Sequence, residues 1–343
     1  MEPKIRYNIA MTVKINSHIA VLGCGAWATT IANHIAKKNI PTRLWCHREE
    51  IVTEINQKKE RSLLPGIGLS EHLEASLECK YVLDNATAII LCIPSKYLEA
   101  FIPLWKPYFN HEQPVLSLIK GILSEQYMFI EDYLKTMFPK VNYSIVSGPN
   151  LALEIAQEKP AASVVASLDQ NTQVFFQELL SNHYLRVYRS SDMKGVASGG
   201  LLKNIMAIAG GIIDGLELGV NSKSSLITRA LKEMIAFGTS CGALPDTLYG
   251  LSGLGDLMAT SFSPLSRNYQ CGFALAQGQT SAQFEEKLNA VAEGIKSTTF
   301  IYNYSREHNI DMPITEMVYN VINTSFSIND AINQLMTRDL KSE

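Results

Sequence analysis

The sequence predicts an α/β domain that is followed by an all-α domain. In the first half of the chain, short apolar runs typical of buried strands alternate with helical patterns. That alternation favours a doubly wound, mostly parallel sheet of the Rossmann type. From residue 192 onward, apolar residues recur only at helical spacing. We therefore predict one domain over residues 1–191 and a second over residues 192–343, a length that allows two hydrophobic cores.

The individual elements follow from short stretches of the sequence. Residues 18–22 (HIAVL) form the first predicted strand. The apolar residues Trp27, Ile31 and Ile35 follow at helical spacing and predict the first helix. A run such as AIILCI is typical of a strand that is covered on both faces. The other predicted strands span residues 41–45, 88–93, 115–119, 144–146 and 162–166, and the other predicted helices span residues 96–104, 125–137, 201–216, 226–237, 284–291 and 316–322.

The composition indicates a soluble protein of a reducing compartment and narrows the range of its partners. The net charge is −3, with 30 Lys plus Arg against 33 Asp plus Glu, which argues against nucleic acid as a partner. The longest apolar stretch is interrupted by Gly210, Gly211 and Asp214, so we expect no membrane insertion. The six cysteines form no CxxC pair and the seven histidines are dispersed, so we expect reduced thiols and no metal site.

The sequence GCGAWA, a GxGxxA motif, lies between the first predicted strand and the following helix. In such a turn Gly23 permits the tight bend, Gly25 lets a pyrophosphate approach the backbone, and Ala28 lets the helix pack on the strand. The free N–H groups of the first helical turn, at Ala26 and Trp27, then face the phosphates. We interpret the motif as a dinucleotide-binding turn; the alternative is a purely structural turn.

The end of the second predicted strand bears on which dinucleotide binds. A site for NAD places an acidic residue about 20 residues after the glycines, on the ribose hydroxyl groups. Counting from Gly25 leads to Trp45, and His47 and Arg48 follow before the first acid, Glu49. His47 and Arg48 can instead accept a 2′-phosphate, which favours NADP and leaves use of NAD open. The alternative is an ordinary solvated strand end.

A lysine in the second half occupies an unusual place for a charged residue. Lys203 and Asn204 lie in the apolar, glycine-bearing segment GGLLKNIMAIAGG. A lysine in such a segment is costly unless it is paired or faces a cleft. Partial burial also favours the neutral amine, which would make Lys203 a usable proton donor and acceptor. The alternative is a lysine whose ammonium reaches solvent along the helix surface.

Three further positions carry charged groups at the ends of predicted elements. Taken alone, Asp256, which follows GLSGLG, is a candidate cap of the next helix. Arg267, between Ser266 and Asn268 at a predicted helix start, suits bidentate phosphate recognition, and the alternative is a surface ion pair. Lys120 ends a predicted strand, where ligands of open α/β sheets gather; the alternative is an ordinary exposed lysine.

Seven sequence blocks follow one another in the order VLGCGAWATTIA, SLIKGI, SGPNLALEIA, GGLLKNIMAIAGG, GLSGLGDL, SPLSRN and VAEG. Their order and spacing resemble the bacterial NAD(P)-dependent glycerol-3-phosphate dehydrogenase family over about residues 18–321. The residues before Met11 lie outside the resemblance. The resemblance implies an enzyme that interconverts dihydroxyacetone phosphate and glycerol 3-phosphate and supplies phospholipid synthesis. It further implies a small-molecule substrate, a cytoplasmic location and a homodimer.

The resemblance also implies roles for individual residues. Lys203 is the expected catalytic lysine, Asn204 orients that lysine or the substrate, and Asp256 holds the ammonium. The chain departs from the family pattern at Asn150 and Ala197. The residues expected to bind substrate are Lys120, Gly148, Asn150, Lys203, Asn204, Asp256, Ser266, Arg267 and Asn268, and those expected to bind the cofactor are Gly23, Gly25, Ala26, Trp27, Ala28, His47, Arg48, Lys120, Ala152, Arg267, Val291 and Glu293.

Two other functions remain open from the sequence alone. A 3-hydroxyacid dehydrogenase of the same two-domain plan would keep the glycine turn and a lysine in the helical segment, but it would not need residues 266–268. A non-catalytic NADP-sensing protein would keep the turn but would not need Lys120, Lys203, Asp256 and Arg267 together. Acceptance of a carboxylate substrate without a phosphate would favour the first alternative.

Overall fold

The computed structural model describes residues 15, 17–110, 113–120, 122–123, 128–288, 293–324, 326–340 and 342. The chain divides into two compact units. The first contains the described residues of Met1–Leu123 and Met128–Met193, and the second contains those of Lys194–Glu343.

A mostly parallel sheet forms the centre of the first unit. The described residues of the first unit form the strands β1 (Ile19–Leu22), β2 (Thr42–Trp45), β3 (Leu73–Ser76), β4 (Ala88–Leu91), β5 (Val115–Ser117), β6 (Ile122–Leu123), β7 (Met128–Phe129), β8 (Tyr143–Ser147), β9 (Ala161–Ser167) and β10 (Leu185–Ser190). Eight strands form one sheet in the order β10-β9-β8-β5-β4-β1-β2-β3, and β6 pairs with β7 as a separate antiparallel hairpin. Within the large sheet, β8 pairs with β9 in an antiparallel way, and all the other strand pairings are parallel. The predicted doubly wound, mostly parallel sheet is therefore confirmed.

Hydrophobic cores lie on both faces of this sheet, because successive strand residues point to opposite faces. Ile19 and Val21 of β1 belong to one core, and Ala20 and Leu22 belong to the other. Every residue of β1 is fully buried, which explains its continuous apolar sequence. The helices of this unit are α1 (Ala26–Ala36), α2 (Glu49–Thr53), α3 (Cys79–Leu83), α4 (Leu98–Trp105), α5 (Ile130–Met137), α6 (Ala152–Ala156) and α7 (Gln170–Leu180).

Two edge strands and the start of one helix differ from the prediction. No strand is predicted at β3 or β10, which lie at the two edges of the sheet. In β10 the buried Leu185 and Val187 alternate with exposed residues, so the sequence lacks a continuous apolar run. The helix predicted over residues 125–137 begins at Ile130, because the two residues before it pair with β6.

In the described residues of the second unit, every regular element is a helix, as the sequence predicts. Its first helix is long and apolar enough to cross a membrane by length and composition, but most of it is buried, which is typical of a core helix. A π-helical turn, Leu251–Gly255, leads directly into α11. The helices are α8 (Met193–Gly215), α9 (Gly219–Ser240), α10 (Pro245–Tyr249), α11 (Asp256–Ser261), α12 (Arg267–Ala276), α13 (Ser281–Leu288), α14 (Glu293–Glu307), α15 (Pro313–Asn323) and α16 (Ile328–Met336).

Candidate active site

The glycine turn joins β1 to α1 through a backbone conformation that only glycine adopts readily. Gly23 has φ +125°, and a Cβ at this position would lie 2.1 Å from the carbonyl oxygen of Cys92. Its N–H donates to the carbonyl oxygen of Trp45 at the end of β2. The turn is therefore fixed between the ends of neighbouring strands, where ligands bind in open α/β sheets.

The first turn of α1 offers backbone N–H groups to an anion. Gly25 caps the helix in an extended conformation without a side-chain hydrogen bond, and the first turn contains no acidic residue. A Cβ on Gly25 would meet open space, whereas Ala28 is fully buried. Ala26 and Trp27 are half-buried, and Trp27 packs against the core of the unit. This arrangement fits the pyrophosphate of a dinucleotide, which needs close backbone approach and free N–H groups.

Two basic side chains lie directly after β2. His47 and Arg48 are both exposed, and Arg48 precedes the first turn of α2. The Nδ1 atom of His47 lies 3.8 Å from Sγ of Cys24 in the glycine turn. A hydrogen bond with Cys46 lowers the pKa of the Cys24 thiol to about 6. The basic groups therefore adjoin the turn and can reach an anion in solvent.

The carboxyl ends of β5 and β8 carry the other expected ligands of the first unit. Lys120 is half-buried three residues beyond β5, and Gly148 lies directly after β8. Asn150 accepts a hydrogen bond from the Ser163 hydroxyl at 2.6 Å, and its buried Nδ2 has no hydrogen-bond partner among the described residues. Ala152 begins α6, and its carbonyl oxygen accepts from the Thr30 hydroxyl of α1. Polar groups thus line up along this edge of the sheet.

A buried ion pair forms the charged centre of the second unit. The Lys203 ammonium of α8 donates to Oδ1 of Asp256, the first residue of α11. Both residues are buried, with Asp256 only 1% exposed. The Thr260 hydroxyl, one helical turn after Asp256, donates to the same carboxylate oxygen at 3.3 Å. Sequence reasoning missed Thr260, although its position four residues after Asp256 is the available signal.

Close packing between α8 and the π-helical turn brings this pair together. A Cβ on Gly199 would lie 2.2 Å from the carbonyl oxygen of Ser252, so only glycine permits this approach. Gly199 precedes Lys203 by one helical turn, and the two lie on the same face of α8. Gly255 is helical, with φ −60° and ψ −48°, and it occupies the cap position of α11. Asp256 is therefore the first residue inside the helix, one position after the cap that the sequence alone also allows for it.

The N-terminus of α12 carries the expected phosphate-binding residues. Ser266 caps the helix by accepting from the Tyr269 N–H at 3.3 Å, and Arg267 is exposed at the first helical position. The buried Asn268 accepts from the Gly294 N–H at 2.9 Å. An exposed guanidinium beside free helix N–H groups suits an anion.

Asn204 and Asn268 converge on the start of α14. A Cβ on Gly294 would lie 2.8 Å both from the Asn204 carbonyl oxygen and from Oδ1 of Asn268. Glu293, an expected cofactor ligand, is the first residue of α14, and Val291 lies outside the described residues. The segment after Lys203 and the segment after Arg267 therefore meet at one point.

The described part of the chain contains no candidate metal site. No group of three or more His, Cys, Asp or Glu side chains there is placed to hold a metal ion. The groups that the described residues do present are a buried lysine–carboxylate pair, an exposed guanidinium at a helix N-terminus and a glycine turn that opens a helix.

Two family models match this chain. The model of the NAD-dependent glycerol-3-phosphate dehydrogenase N-terminus matches residues 18–173, and that of the C-terminus matches residues 192–333. The glycerol-3-phosphate dehydrogenase [NAD(P)+] of Carboxydothermus hydrogenoformans is 37% identical over 95% of this chain and 98% of its own. That of Maridesulfovibrio salexigens is 38% identical over 95% of this chain and 99% of its own.

Solved structures agree with these matches. The glycerol-3-phosphate dehydrogenase of Coxiella burnetii has a TM-score of 0.89 and 33% identity, over 94% of this chain and 99% of its own. The Plasmodium falciparum protein of that name has a TM-score of 0.87 at 24% identity, over 95% of this chain and 97% of its own, which supports the fold. The chain therefore belongs to the NAD(P)-dependent glycerol-3-phosphate dehydrogenase family of oxidoreductases.

Proposed function

We propose that the protein interconverts dihydroxyacetone phosphate and sn-glycerol 3-phosphate by hydride transfer with NAD(P)H. The observation that carries this proposal is the buried pair of Lys203 and Asp256 in a chain of this family. A reductase of a ketone needs one proton at the carbonyl oxygen, and a buried ammonium can supply it. The nicotinamide cofactor supplies the hydride when it is bound.

Lys203 is the proposed proton donor to the substrate's central oxygen in the reductive direction. Asp256 keeps the ammonium in place through its hydrogen bond, and Thr260 holds the same carboxylate oxygen. In the oxidative direction the neutral amine of Lys203 takes the proton from the substrate hydroxyl. Burial favours this exchange, because it makes the charged and neutral forms of an amine closer in free energy.

The substrate phosphate is assigned to the N-terminus of α12. Arg267 contributes a two-pronged, permanently charged donor, and Ser266 and Asn268 add a hydroxyl and an amide beside the helix N–H groups. This cluster favours a phosphorylated substrate over a plain 3-hydroxyacid. The remaining proposed substrate ligands are Lys120, Gly148, Asn150 and Asn204.

The cofactor is assigned to the glycine turn and the strand ends beside it. Arg48, helped by His47, favours NADPH, because both are exposed and no acid precedes Glu49. The proposed cofactor ligands are Gly23, Gly25, Ala26, Trp27, Ala28, His47, Arg48, Lys120, Ala152, Arg267, Val291 and Glu293.

The wider role follows from the proposed reaction. Glycerol 3-phosphate made in this way would supply phospholipid synthesis. We place the protein in the cytoplasm as a homodimer, with a nucleotide-binding domain over residues 1–191 and a substrate domain over residues 192–343. None of the six cysteines forms a disulfide, as is usual in a reducing compartment.

The test is the oxidation of NADPH and NADH by the purified protein with dihydroxyacetone phosphate or with dihydroxyacetone. We expect kcat/KM to be at least about 100-fold higher for the phosphorylated substrate, since charge-assisted hydrogen bonds to phosphate are then made. Equal activity on both ketones would contradict the phosphate assignment. Reduction of a 3-oxoacid in their place would support the hydroxyacid dehydrogenase alternative.

A further inference from the structure

A buried arginine, Arg61, contacts the backbone of the glycine turn. Arg61 is only 4% exposed, and its Nη2 donates to the carbonyl oxygen of Cys24 at 3.0 Å. Cys24 lies between the two glycines of the motif, 37 residues away in the sequence. The guanidinium therefore fixes the central peptide group of the turn.

Peptide geometry converts this contact into an orientation of the next N–H group. In a trans peptide the carbonyl and the following N–H point in opposite directions. Because Arg61 holds the Cys24 carbonyl oxygen, the Gly25 N–H points away from Arg61. Gly25 is exposed, and a Cβ on it would meet open space, so an anion can reach this residue.

Glu54 holds Arg61 in the position that this contact needs. Nη1 of Arg61 lies 2.6 Å from Oε2 of Glu54, and Oε1 of Glu54 accepts from the Ser62 N–H at 2.6 Å. The buried Nε–H of Arg61 has no hydrogen-bond partner among the described residues. A buried guanidinium with an unpaired donor is costly for stability, which favours a role other than stability.

We propose that Arg61 is a positioning residue for the cofactor pyrophosphate, acting through the Cys24 carbonyl oxygen to aim the Gly25 N–H at the phosphates. The inference rests on the proposed nucleotide site at residues 23–28. It assigns to Arg61 a contribution that NADH and NADPH share, because the pyrophosphate is common to both.

The test measures dissociation constants of NADH and NADPH by calorimetry for wild type, Arg61→Met and Arg61→Lys. Loss of one charged hydrogen bond that orders a turn should raise both constants about tenfold in Arg61→Met. Arg61→Lys should raise both by less, since its ammonium can still reach one of the two partners. At saturating cofactor, kcat and the KM for dihydroxyacetone phosphate should stay within about twofold of wild type.

Three control variants separate positioning from electrostatics and from folding. Arg43→Met removes an arginine of β2, in the same unit as Arg61, which donates to the Tyr81 carbonyl oxygen, and should leave both constants unchanged. Glu54→Gln leaves Arg61 present but weakens the ion pair that positions it, so this variant should raise both constants by less than Arg61→Met does. The double variant Arg61→Met/Glu54→Gln should remain as weak as Arg61→Met, although no carboxylate is then left unpaired.

Two outcomes would overturn the inference. Unchanged constants in folded Arg61→Met, or in Arg61→Lys if the first variant does not fold, would show that Arg61 is only structural. Recovery of binding in the double variant would show that the unpaired Glu54 carboxylate caused the loss. A wild-type protein that binds neither nucleotide would contradict the proposed function itself, and with it the inference.

Discussion

The two chemically important regions of the molecule are built in opposite ways. In the first unit, the turn from Gly23 to Ala28 is made of backbone groups that are consecutive in the sequence. In the second unit, Lys203 and Asp256 are side chains 53 residues apart, joined by the packing of two helices. Substitutions in the turn should therefore act through backbone conformation. Substitutions in the pair should remove a chemical group and leave the fold in place.

The largest expected effect is the loss of turnover in Asp256→Asn. Asparagine keeps the shape of the side chain but removes the negative charge that Asp256 places beside the buried Lys203 ammonium. We expect kcat to fall roughly 10³-fold, within the range that removal of acid–base assistance causes. NADH affinity should be unchanged, which steady-state kinetics and a binding titration would check. A parallel loss of nucleotide affinity would contradict the separation of the two regions.

The glycine turn should respond to Gly23→Ala and Gly25→Ala in different ways. Alanine at Gly23 meets the Cys92 carbonyl and a φ of +125°, so we expect a large fall in the melting temperature and more than about 100-fold weaker NADH binding. Alanine at Gly25 meets open space, so the fold should remain intact while affinity falls by about tenfold. Thermal unfolding and calorimetric titration distinguish the two. Equal melting temperatures for the two variants would contradict this account.

The stability of the two units should also change with pH in opposite directions, in the first unit through His34. This buried ring bonds to the Tyr184 hydroxyl and the Leu180 carbonyl, each at 2.7 Å, and burial lowers its pKa to about 4. The unfolded chain then binds the proton more tightly than the folded one. Stability is therefore lost as pH falls from about 6.5 to 4, by up to about 3 kcal/mol.

Glu233 should act in the opposite direction in the second unit. Its buried carboxyl accepts from the Ile314 and Thr315 N–H groups at the start of α15, and burial raises its pKa to about 7. Here the folded chain binds the proton more tightly. Stability is therefore lost as pH rises from about 4.5 to 7, by up to about 3 kcal/mol.

Urea unfolding of wild type, His34→Phe and Glu233→Gln across this pH range would check both signs. Each variant should remove one pH-dependent contribution and retain the other. Variant profiles that run parallel to the wild-type profile would show that neither group titrates as described.

The smallest expected effect concerns nucleotide choice. Arg48→Ala should raise the KM for NADPH about tenfold and leave that for NADH almost unchanged, because one exposed charge-assisted hydrogen bond is lost. Initial rates with each nucleotide would measure this. Equal losses for both nucleotides would place Arg48 on a group that NADH shares with NADPH.

The same contrast explains what the sequence alone can predict. The buried strands and long helices carry periodic apolar residues, so the fold class could be predicted and is confirmed by the sheet order and the family match. The edge strands β3 and β10 have one exposed face and shorter apolar patterns, so these two strands could not be predicted from the sequence. The hairpin of β6 and β7 has only two residues in each strand, too few for a periodic signal.

The candidate site divides along the same line. The glycine turn is a local motif, and its residues can be read in order from the sequence. The contact of Arg61 with the turn depends on tertiary packing that no local pattern encodes. The contact of Thr260 with Asp256 is local, and the four-residue spacing could have indicated it once Asp256 was singled out. The resemblance to a family could name Asp256 as a partner of Lys203, but the sequence by itself also permitted a helix cap.

The most direct test of the central claim is the activity of Lys203→Met. The account predicts that this variant binds NADH with a near-normal dissociation constant but turns over at least about 100-fold more slowly, because the proton donor is gone. Near-normal turnover by a folded Lys203→Met protein would contradict the assignment and leave Lys120 as the next candidate.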